Sequence, residues 1–363
     1  MRRGRVAALL LAGAVLCGAG CYSALAAEAG EASNPLISLD WIKNTYIPQT
    51  VAAAETRIDA GVQAGQGGTG AVSSPSTELR VKRGDVLRLD TGASLTVLAG
   101  SLSGAASGAI VDLTEGRELS SGAALSPRHR YLAVESTKAA FSVTSDTAVV
   151  RTFAAYDLQK SAETDYNALA DALKAMGMFK GSDLGYGSGF ELENAPTRIQ
   201  GLILFLRLLG EENAALRYAG TTQTGDVAAW AVPYVRYAYD RGYTKGTGVT
   251  AAGVVYFEPD SPLKPNDYVT FLLRALGYAD QTDFAWLTAV SDAQKLGVLT
   301  SGETYMLQNQ AFLRAQAAYL SYFVLSATEK GTETTLLAAL EAKGTIDPAT
   351  ARTAMSGVTV KRL

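Results

Sequence analysis

The chain has 363 residues, enough for two domains or for one domain and a repeat array. Its 32 basic and 35 acidic residues give a formal net charge of -3, so its charge balance carries no signature of nucleic-acid binding. One histidine is too few for a multi-histidine metal site, and both cysteines, Cys17 and Cys21, lie in the N-terminal segment described next, whose removal would exclude a thiol enzyme and disulfides.

Residues 1–26 have the pattern of a secretory signal peptide. Arg2, Arg3 and Arg5 form a basic start, Val6–Leu16 is an apolar run, and Ala24-Leu25-Ala26 supplies a cleavage signal. The apolar run is too short for an ordinary membrane span. Cleavage after residue 26 predicts an exported protein that has lost both cysteines and has no transmembrane span.

A second interpretation of this segment remains open. Gly18-Ala19-Gly20-Cys21 resembles a lipoprotein signal in which Cys21 would be lipidated. Gly18 lacks the large aliphatic side chain that such signals carry at this position, which favours cleavage after residue 26.

Three segments of different character follow the predicted signal peptide. Residues 27–64 are predicted to be an N-terminal tail and helical segment, and residues 65–77 form a Gly/Ser linker. Over residues 78–156 the apolar period is two, in short runs such as ELRVK, DVLRL and AFSVTS separated by turn-forming residues. This pattern predicts a small all-β domain, a sandwich or roll with antiparallel connections.

From Asp165 onward the apolar residues have helical spacing, and one sequence unit occurs three times. Ala195–Glu212 is followed by weaker copies at Leu263–Asp280 and Phe312–Glu329. Each copy is a helix start followed by apolar residues at helical spacing. We assign the three repeats to residues 165–220, 221–280 and 281–330, followed by a C-terminal helical tail at 331–363. Repeats of this kind complete one another's core, so they predict one cooperative domain.

A helix that ends at a glycine precedes each of these helix starts. Glycine just past a helical run is the expected residue for a left-handed cap. The predicted caps are Gly177, Gly242 and Gly297.

These units resemble S-layer homology (SLH) modules, in which a Trp-containing first helix and a glycine-bounded loop precede a helix opened by an I-T-R-A-E-like motif. Pro196–Gln200 (PTRIQ) and Leu313–Gln316 (LRAQ) match that motif, and Asp226–Val235 (DVAAWAVPYV) is similar to the family's D-V-x-x-W-A-x-x-Y-I segment. The second copy has Lys264-Pro265 where the family has Thr-Arg. The resemblance implies an all-α, pseudo-threefold domain after the β domain, hence an α+β multidomain protein.

The resemblance also implies a function. SLH modules hold exported proteins on a Gram-positive-type cell wall by binding an anionic secondary cell-wall polysaccharide, which in many cases is pyruvylated. We therefore expect a wall-anchored surface protein that is not an enzyme, with no cofactor, and with self-assembly left open. The alternative is a wall-anchored hydrolase acting on a wall or extracellular glycan.

The expected polysaccharide-binding residues are Arg198, Arg314, Thr197, Tyr243 and Lys264. A cation is poorly placed at a helix N-terminus unless an anion lies beside it, because the macrodipole favours negative charge there. The resemblance supplies the anion, since a carboxylate suits a bidentate guanidinium. We expect the two arginines to matter more than Lys264, which offers only a flexible point charge.

Two tryptophans, Trp230 and Trp286, could stack on sugar rings. Aromatic side chains at helical spacing are more often core residues, and we assign both to the core. The loop that contains Gly185, Gly187 and Gly189 lacks the preceding strand and following Lys-Ser of a phosphate-binding loop, so it does not predict a nucleotide site.

No catalytic or metal-binding set is predicted. A Ser–His–Asp triad would have to use His129, which lies in a basic, turn-like sequence. Asp112, Glu115 and Glu118 lie in a turn-rich context typical of solvated acids. A carboxylate pair for glycoside hydrolysis is not excluded by sequence.

Overall fold

A computed structural model of the chain describes residues 76–134, 138–181 and 189–363. The predicted signal peptide, the segment at 27–64, the linker up to residue 75, and Gly185 and Gly187 lie outside the described residues. The described chain contains an antiparallel β region followed by a helical region, so the predicted α+β, two-part layout is confirmed.

The β region has eleven strands among the described residues, and its last strand lies just beyond the predicted boundary at residue 156. The strands are β1 (Thr77–Lys82), β2 (Val86–Leu89), β3 (Ser94–Ala99), β4 (Leu102–Ala105), β5 (Ile110–Asp112), β6 (Arg117–Leu119), β7 (Ala123–Ala124), β8 (Arg130–Ala133), β9 (Ala139–Val143), β10 (Thr147–Thr152) and β11 (Asp157–Gln159).

These strands form two antiparallel sheets that share one core. The first has the order β1-β10-β3-β8-β5-β6 and the second the order β11-β2-β9-β4-β7. Alternate residues face inward, as the period of two requires, so Leu87 and Leu89 of one sheet lie in the same buried cluster as Leu95 and Val97 of the other. The β11 strand belongs to this region because it pairs with β2.

The helical region contains ten α-helices among the described residues. They are α1 (Tyr166–Ala175), α2 (Arg198–Leu208), α3 (Glu212–Leu216), α4 (Val232–Asp240), α5 (Pro265–Ala275), α6 (Ala289–Lys295), α7 (Ser301–Asn309), α8 (Arg314–Val324), α9 (Leu336–Ala342) and α10 (Pro348–Ser356). A short hairpin, β12 (Gly248–Val249) and β13 (Val255–Tyr256), lies between α4 and α5, and a 3-10 turn at Trp286–Thr288 precedes α6.

Helix boundaries follow the local signals of the sequence. Thr197 caps α2 through a reciprocal capping box, in which Gln200 N donates to Thr197 Oγ1 (3.4 Å) and Thr197 N donates to Gln200 Oε1 (3.1 Å). The predicted glycine turns after α1, α4 and α6 are confirmed, with left-handed φ values of 76° at Gly177, 76° at Gly242 and 74° at Gly297. Residues with a Cβ rarely adopt this left-handed conformation, which is why glycine ends the helices there.

The helices pack around one hydrophobic core that extends from Tyr166 in α1 to Ala351 in α10. All eleven residues of α8 are buried. The β region contacts α1 directly, because Arg80 of β1 forms a bidentate pair with Asp171 (3.0 and 2.7 Å). Asn167 Nδ2 also donates to the carbonyl of Val81 (3.4 Å). Among the described helices, none combines the length and the apolar character needed to cross a bilayer.

Candidate functional site

The start of α2 is joined to the loop that precedes α5. Arg198 N donates to Ser261 O (2.9 Å), and Ile199 N donates to Pro259 O (3.0 Å). The Arg198 side chain continues the contact, since its Nε donates to Phe257 O (2.9 Å) and its guanidinium lies 5.0 Å from the centre of the Phe257 ring. Arg198 therefore connects the helix start of the first repeat to the loop of the second.

The start of α8 makes the same set of contacts with the loop that precedes α2. Arg314 N donates to Asn194 O (2.9 Å), and Ala315 N donates to Leu192 O (3.1 Å). Arg314 Nε donates to Phe190 O (2.8 Å). Arg314 therefore connects the third repeat to the loop of the first, through the same two backbone hydrogen bonds and the same Nε contact by which Arg198 connects the first to the second.

The two receiving loops share a sequence signal that the sequence analysis missed. Phe190-Glu191 and Phe257-Glu258 are followed at equal spacing by the starts of α2 and α5. Both glutamates have a left-handed backbone with φ of 53°, and in each loop the carbonyl of the preceding phenylalanine accepts from an arginine Nε. The recurring Phe-Glu dipeptide could have identified these loops.

The side chains of both arginines are occupied by contacts within the protein. Arg314 is 6% exposed, and its Nη2 donates to Lys180 O (3.1 Å) in addition to the contact through Nε. Burial lowers the pKa of Arg314, while the nearby charge of Glu191 opposes that shift. The Arg198 side chain is 11% exposed, and its Nη1 lies 3.0 Å from Asp267 Oδ1. Each arginine thus has a structural role, and the expected contact with a polysaccharide stays a prediction.

The start of α5 differs from the other two helix starts, because Lys264 is exposed there. The buried Asp267, in the first turn of α5, collects three contacts. Its Oδ1 accepts from Trp286 Nε1 (2.8 Å) and lies against Arg198, and its Oδ2 accepts from Lys264 N (3.1 Å). We call Lys264, Asp267, Trp286 and Arg198 the α5 junction. It places an indole, a guanidinium and the backbone N–H of the exposed Lys264 around one carboxylate.

The assignment of the two tryptophans to the core is wrong. Trp230 is 61% exposed and Trp286 is 45% exposed, next to Leu287 at 73%. Both tryptophans lie just before a first helix of a repeat rather than on its inward-facing stripe. The hydrogen bond from Trp286 to Asp267 fixes the edge of the indole and leaves the rest of the ring at the surface.

The remaining expected residues have mainly internal contacts. Tyr243 is half-buried, its hydroxyl donates to Glu211 Oε1 (3.1 Å), and its ring packs edge-on against Phe205. Burial and the charge of Glu211 raise the pKa of Tyr243. The hydroxyl of Thr197 caps α2. The structure does not bring these two side chains into the α5 junction.

The start of α8 is covered by the β region. Gln316, which holds the same first-turn position in α8 as Asp267 in α5, donates through Nε2 to Asp146 Oδ2 (2.7 Å). Asp146 is held in turn by Arg83, whose Nη2 lies 2.8 Å from its Oδ1. The start of α8 therefore contacts the β region, whereas the start of α5, at the α5 junction, leaves an aromatic ring and a cation exposed to solvent.

An exposed indole face next to cationic groups can bind an anionic sugar. The apolar C–H face of a sugar ring packs on an aromatic ring, and a carboxylate pairs with lysine or arginine. The α5 junction offers both kinds of contact within one surface.

The sequence matches no protein-family model, and it matches no curated protein. Among solved structures it is similar to a chain of the wild-type Clp1p–Pcf11p complex, with 10% identity and a TM-score of 0.15. That match covers 42% of this chain and 31% of the other. A TM-score this low carries no argument about fold or function.

Proposed function

We propose that this protein is an exported, wall-anchored surface protein whose SLH-like repeats bind an anionic secondary cell-wall polysaccharide. The observation that carries the proposal is the α5 junction, where Trp286 is 45% exposed beside the exposed Lys264. The recurrence of SLH-like motifs in the sequence supplies the class of ligand.

The contacts between repeats support a pseudo-threefold arrangement. The helix start of the first repeat binds the loop of the second through Arg198, and that of the third binds the loop of the first through Arg314. In both cases a repeat donates to its successor in a cyclic order. The second and third repeats are joined by a different contact, in which Asn266 Nδ2 donates to Leu287 O (2.7 Å) and Val290 N donates back to Asn266 Oδ1 (3.1 Å).

A carboxylated sugar fits the α5 junction better than a neutral one. Asp267 already neutralises part of the positive charge of Arg198, and Lys264 is left exposed to a solvent-borne anion. In our proposal Lys264 pairs with the ligand carboxylate and Trp286 carries the sugar ring. Arg198 holds the junction together through Phe257 and Asp267, and it has too little exposed surface to be the main contact.

The test is co-sedimentation of the protein with isolated cell walls, compared with walls stripped of their secondary polymer. We expect binding to intact walls only. Lys264→Ala and Trp286→Ala should each weaken binding about tenfold, the effect of losing one contact worth about 1.4 kcal/mol.

Matched controls are available on other helices. Tyr305→Ala removes an aromatic side chain that is 66% exposed, and Lys295→Ala removes a lysine whose side chain is 75% exposed. Both controls should bind like the unaltered protein. Equal binding to stripped walls would overturn the proposed ligand. Full binding by Lys264→Ala and Trp286→Ala would overturn the site while leaving wall binding intact.

A further inference from the structure

The single histidine of the chain lies against two carboxylates in the β region, apart from every residue of the α5 junction. Asp112 ends β5, Glu115 lies in the turn to β6, and His129 immediately precedes β8. The strands bring them together because β5 pairs with β6 on one side and with β8 on the other. Sequence reasoning treated the acids as solvated and the histidine as part of an exposed turn, but the structure buries Asp112 to 1% exposure.

The donor atoms of these side chains are spaced like the ligands of one ion. His129 Nδ1 lies 2.7 Å from Asp112 Oδ2 and 3.9 Å from Glu115 Oε1. One ligand atom from each of the three residues lies within 4.8 Å of the others. In a tetrahedral zinc site with bonds of about 2.0–2.1 Å, neighbouring donor atoms are about 3.3 Å apart, which falls between the two measured separations.

Each side chain also directs one specific atom toward the others. Asp112 Oδ1 accepts hydrogen bonds from Thr114 N (2.9 Å) and Glu115 N (3.2 Å), so Oδ2 is the oxygen that faces His129. The contact between Glu115 and Arg117 uses Oε2, so Oε1 is the oxygen that faces the imidazole. The His129 side chain is 20% exposed, which leaves the cluster a path to solvent.

We propose that Asp112, Glu115 and His129 bind a divalent first-row transition cation, with Zn²⁺ as its representative. One imidazole and two carboxylates form a mixed nitrogen and oxygen donor set that suits zinc better than calcium, which takes oxygen ligands alone. Three protein ligands leave a fourth position for water or for a donor from a partner. Coordination through Nδ1 replaces the hydrogen bond between His129 and Asp112.

The first test is calorimetric titration of tag-free, chelator-treated protein with Zn²⁺ and, separately, with Ca²⁺. We expect one zinc site per chain and much weaker binding of calcium. His129→Gln and Glu115→Gln should each weaken zinc binding at least about tenfold, since even changes to residues behind a metal ligand cost about that much. The matched control is Glu118→Gln, an exposed acid on the neighbouring strand β6 that contributes no donor atom.

A second measurement does not depend on how the variants fold. Because His129 is the only histidine, proton–carbon NMR of the unaltered protein shows the resonances of one imidazole. We expect these resonances to shift during the zinc titration and to stop shifting at one equivalent. Imidazole resonances unaffected by zinc, the absence of a saturable site, or unchanged binding by His129→Gln would each overturn the proposal.

Discussion

At the scale of single residues, Arg314 acts as a connector between repeats. Its Nε and Nη2 reach the carbonyls of Phe190 and Lys180, and its guanidinium lies 5.5 Å from the centre of the Phe179 ring. A planar guanidinium can serve two carbonyls at once, which the single ammonium group of lysine cannot do in the same geometry.

This geometry makes Arg314 a stability residue. Arg314→Ala should lower the free energy of unfolding by about 2–4 kcal/mol, because two charge-assisted hydrogen bonds are lost and two carbonyls lose a donor. Urea denaturation followed by circular dichroism measures this change. The exposed Lys264 is the control, and Lys264→Ala should leave the unfolding midpoint unchanged. Equal stability of Arg314→Ala and the unaltered protein would contradict the structural role.

Tyr268 is one of the buried tyrosines that should lower the stability of the protein at alkaline pH. It is fully buried in α5, its hydroxyl lies 2.6 Å from Ser321 Oγ, and burial raises its pKa to about 12. The folded state therefore favours the protonated phenol. The stability that comes from this raised pKa is fully present below pH about 10, the usual pKa of tyrosine. It is lost as the pH rises toward the pKa of Tyr268 in the folded state.

Unfolding midpoints in urea, measured at a series of pH values up to about 11.5, test this prediction. Tyr268→Phe should be less stable at neutral pH, because the hydrogen bond to Ser321 is lost, and its stability should fall less steeply above pH about 10. Tyr305→Phe, at an exposed position, should follow the unaltered protein. If the stability of Tyr268→Phe fell with pH as steeply as that of the unaltered protein, other groups would control alkaline unfolding.

At the scale of secondary-structure elements, the glycine turns define where the first helix of each repeat ends. Gly242 follows α4 with φ of 76°, and nothing lies within 4 Å of the position that a Cβ would take. The restriction at Gly242 is therefore one of backbone conformation and not of space.

Gly242→Ala should destabilise the protein by about 1 kcal/mol, the cost of a left-handed backbone for a residue with a Cβ. The matched control is Gly357→Ala at the end of α10, where φ is -81° and the Cβ position is equally open. That change should be neutral or stabilise by up to about 1 kcal/mol, because it restricts the unfolded chain. Thermal unfolding of both variants measures the difference, and equal effects would refute the conformational explanation.

At the scale of the whole molecule, the three repeats share a single core. Tyr319 of α8 illustrates this, because it is fully buried and its ring contacts Tyr166 of α1 (6.0 Å between ring centres) and Phe323 (4.6 Å). A side chain of the third repeat therefore packs on the first helix of the first repeat. Loss of the packing of α8 should therefore destabilise the first repeat as well as the third.

Tyr319→Ala should lower the free energy of unfolding by about 3–5 kcal/mol, as large-to-small changes of buried aromatic residues do. Hydrogen–deuterium exchange with mass spectrometry should show loss of protection in α1 and α2 as well as in α8. Tyr305→Ala, an exposed tyrosine on α7, is the control and should not change protection. Loss of protection confined to α8 would show that the repeats unfold independently.

By itself, the sequence determined the features that depend on neighbouring residues. The change of apolar period near Glu78 and again near Asp165 predicted the β region and the helical region, and both are confirmed. The capping box at Thr197 and the glycine turns at Gly177 and Gly242 also follow from local signals. Backbone conformation and capping depend on side chains at most a few positions away, so a linear pattern contains the information needed.

Only the tertiary structure decided which partners the polar side chains meet. Arg198 bonds to a carbonyl 59 positions away and Arg314 to one 124 positions away, so their helix-start motif does not reveal their contacts. Asp112 and His129, 17 positions apart, meet because two strands pair in one register. The contact between Trp286 and Asp267 likewise joins two different repeats. Such contacts arise from how distant elements pack, and packing is a property of the whole chain that no single stretch of sequence contains.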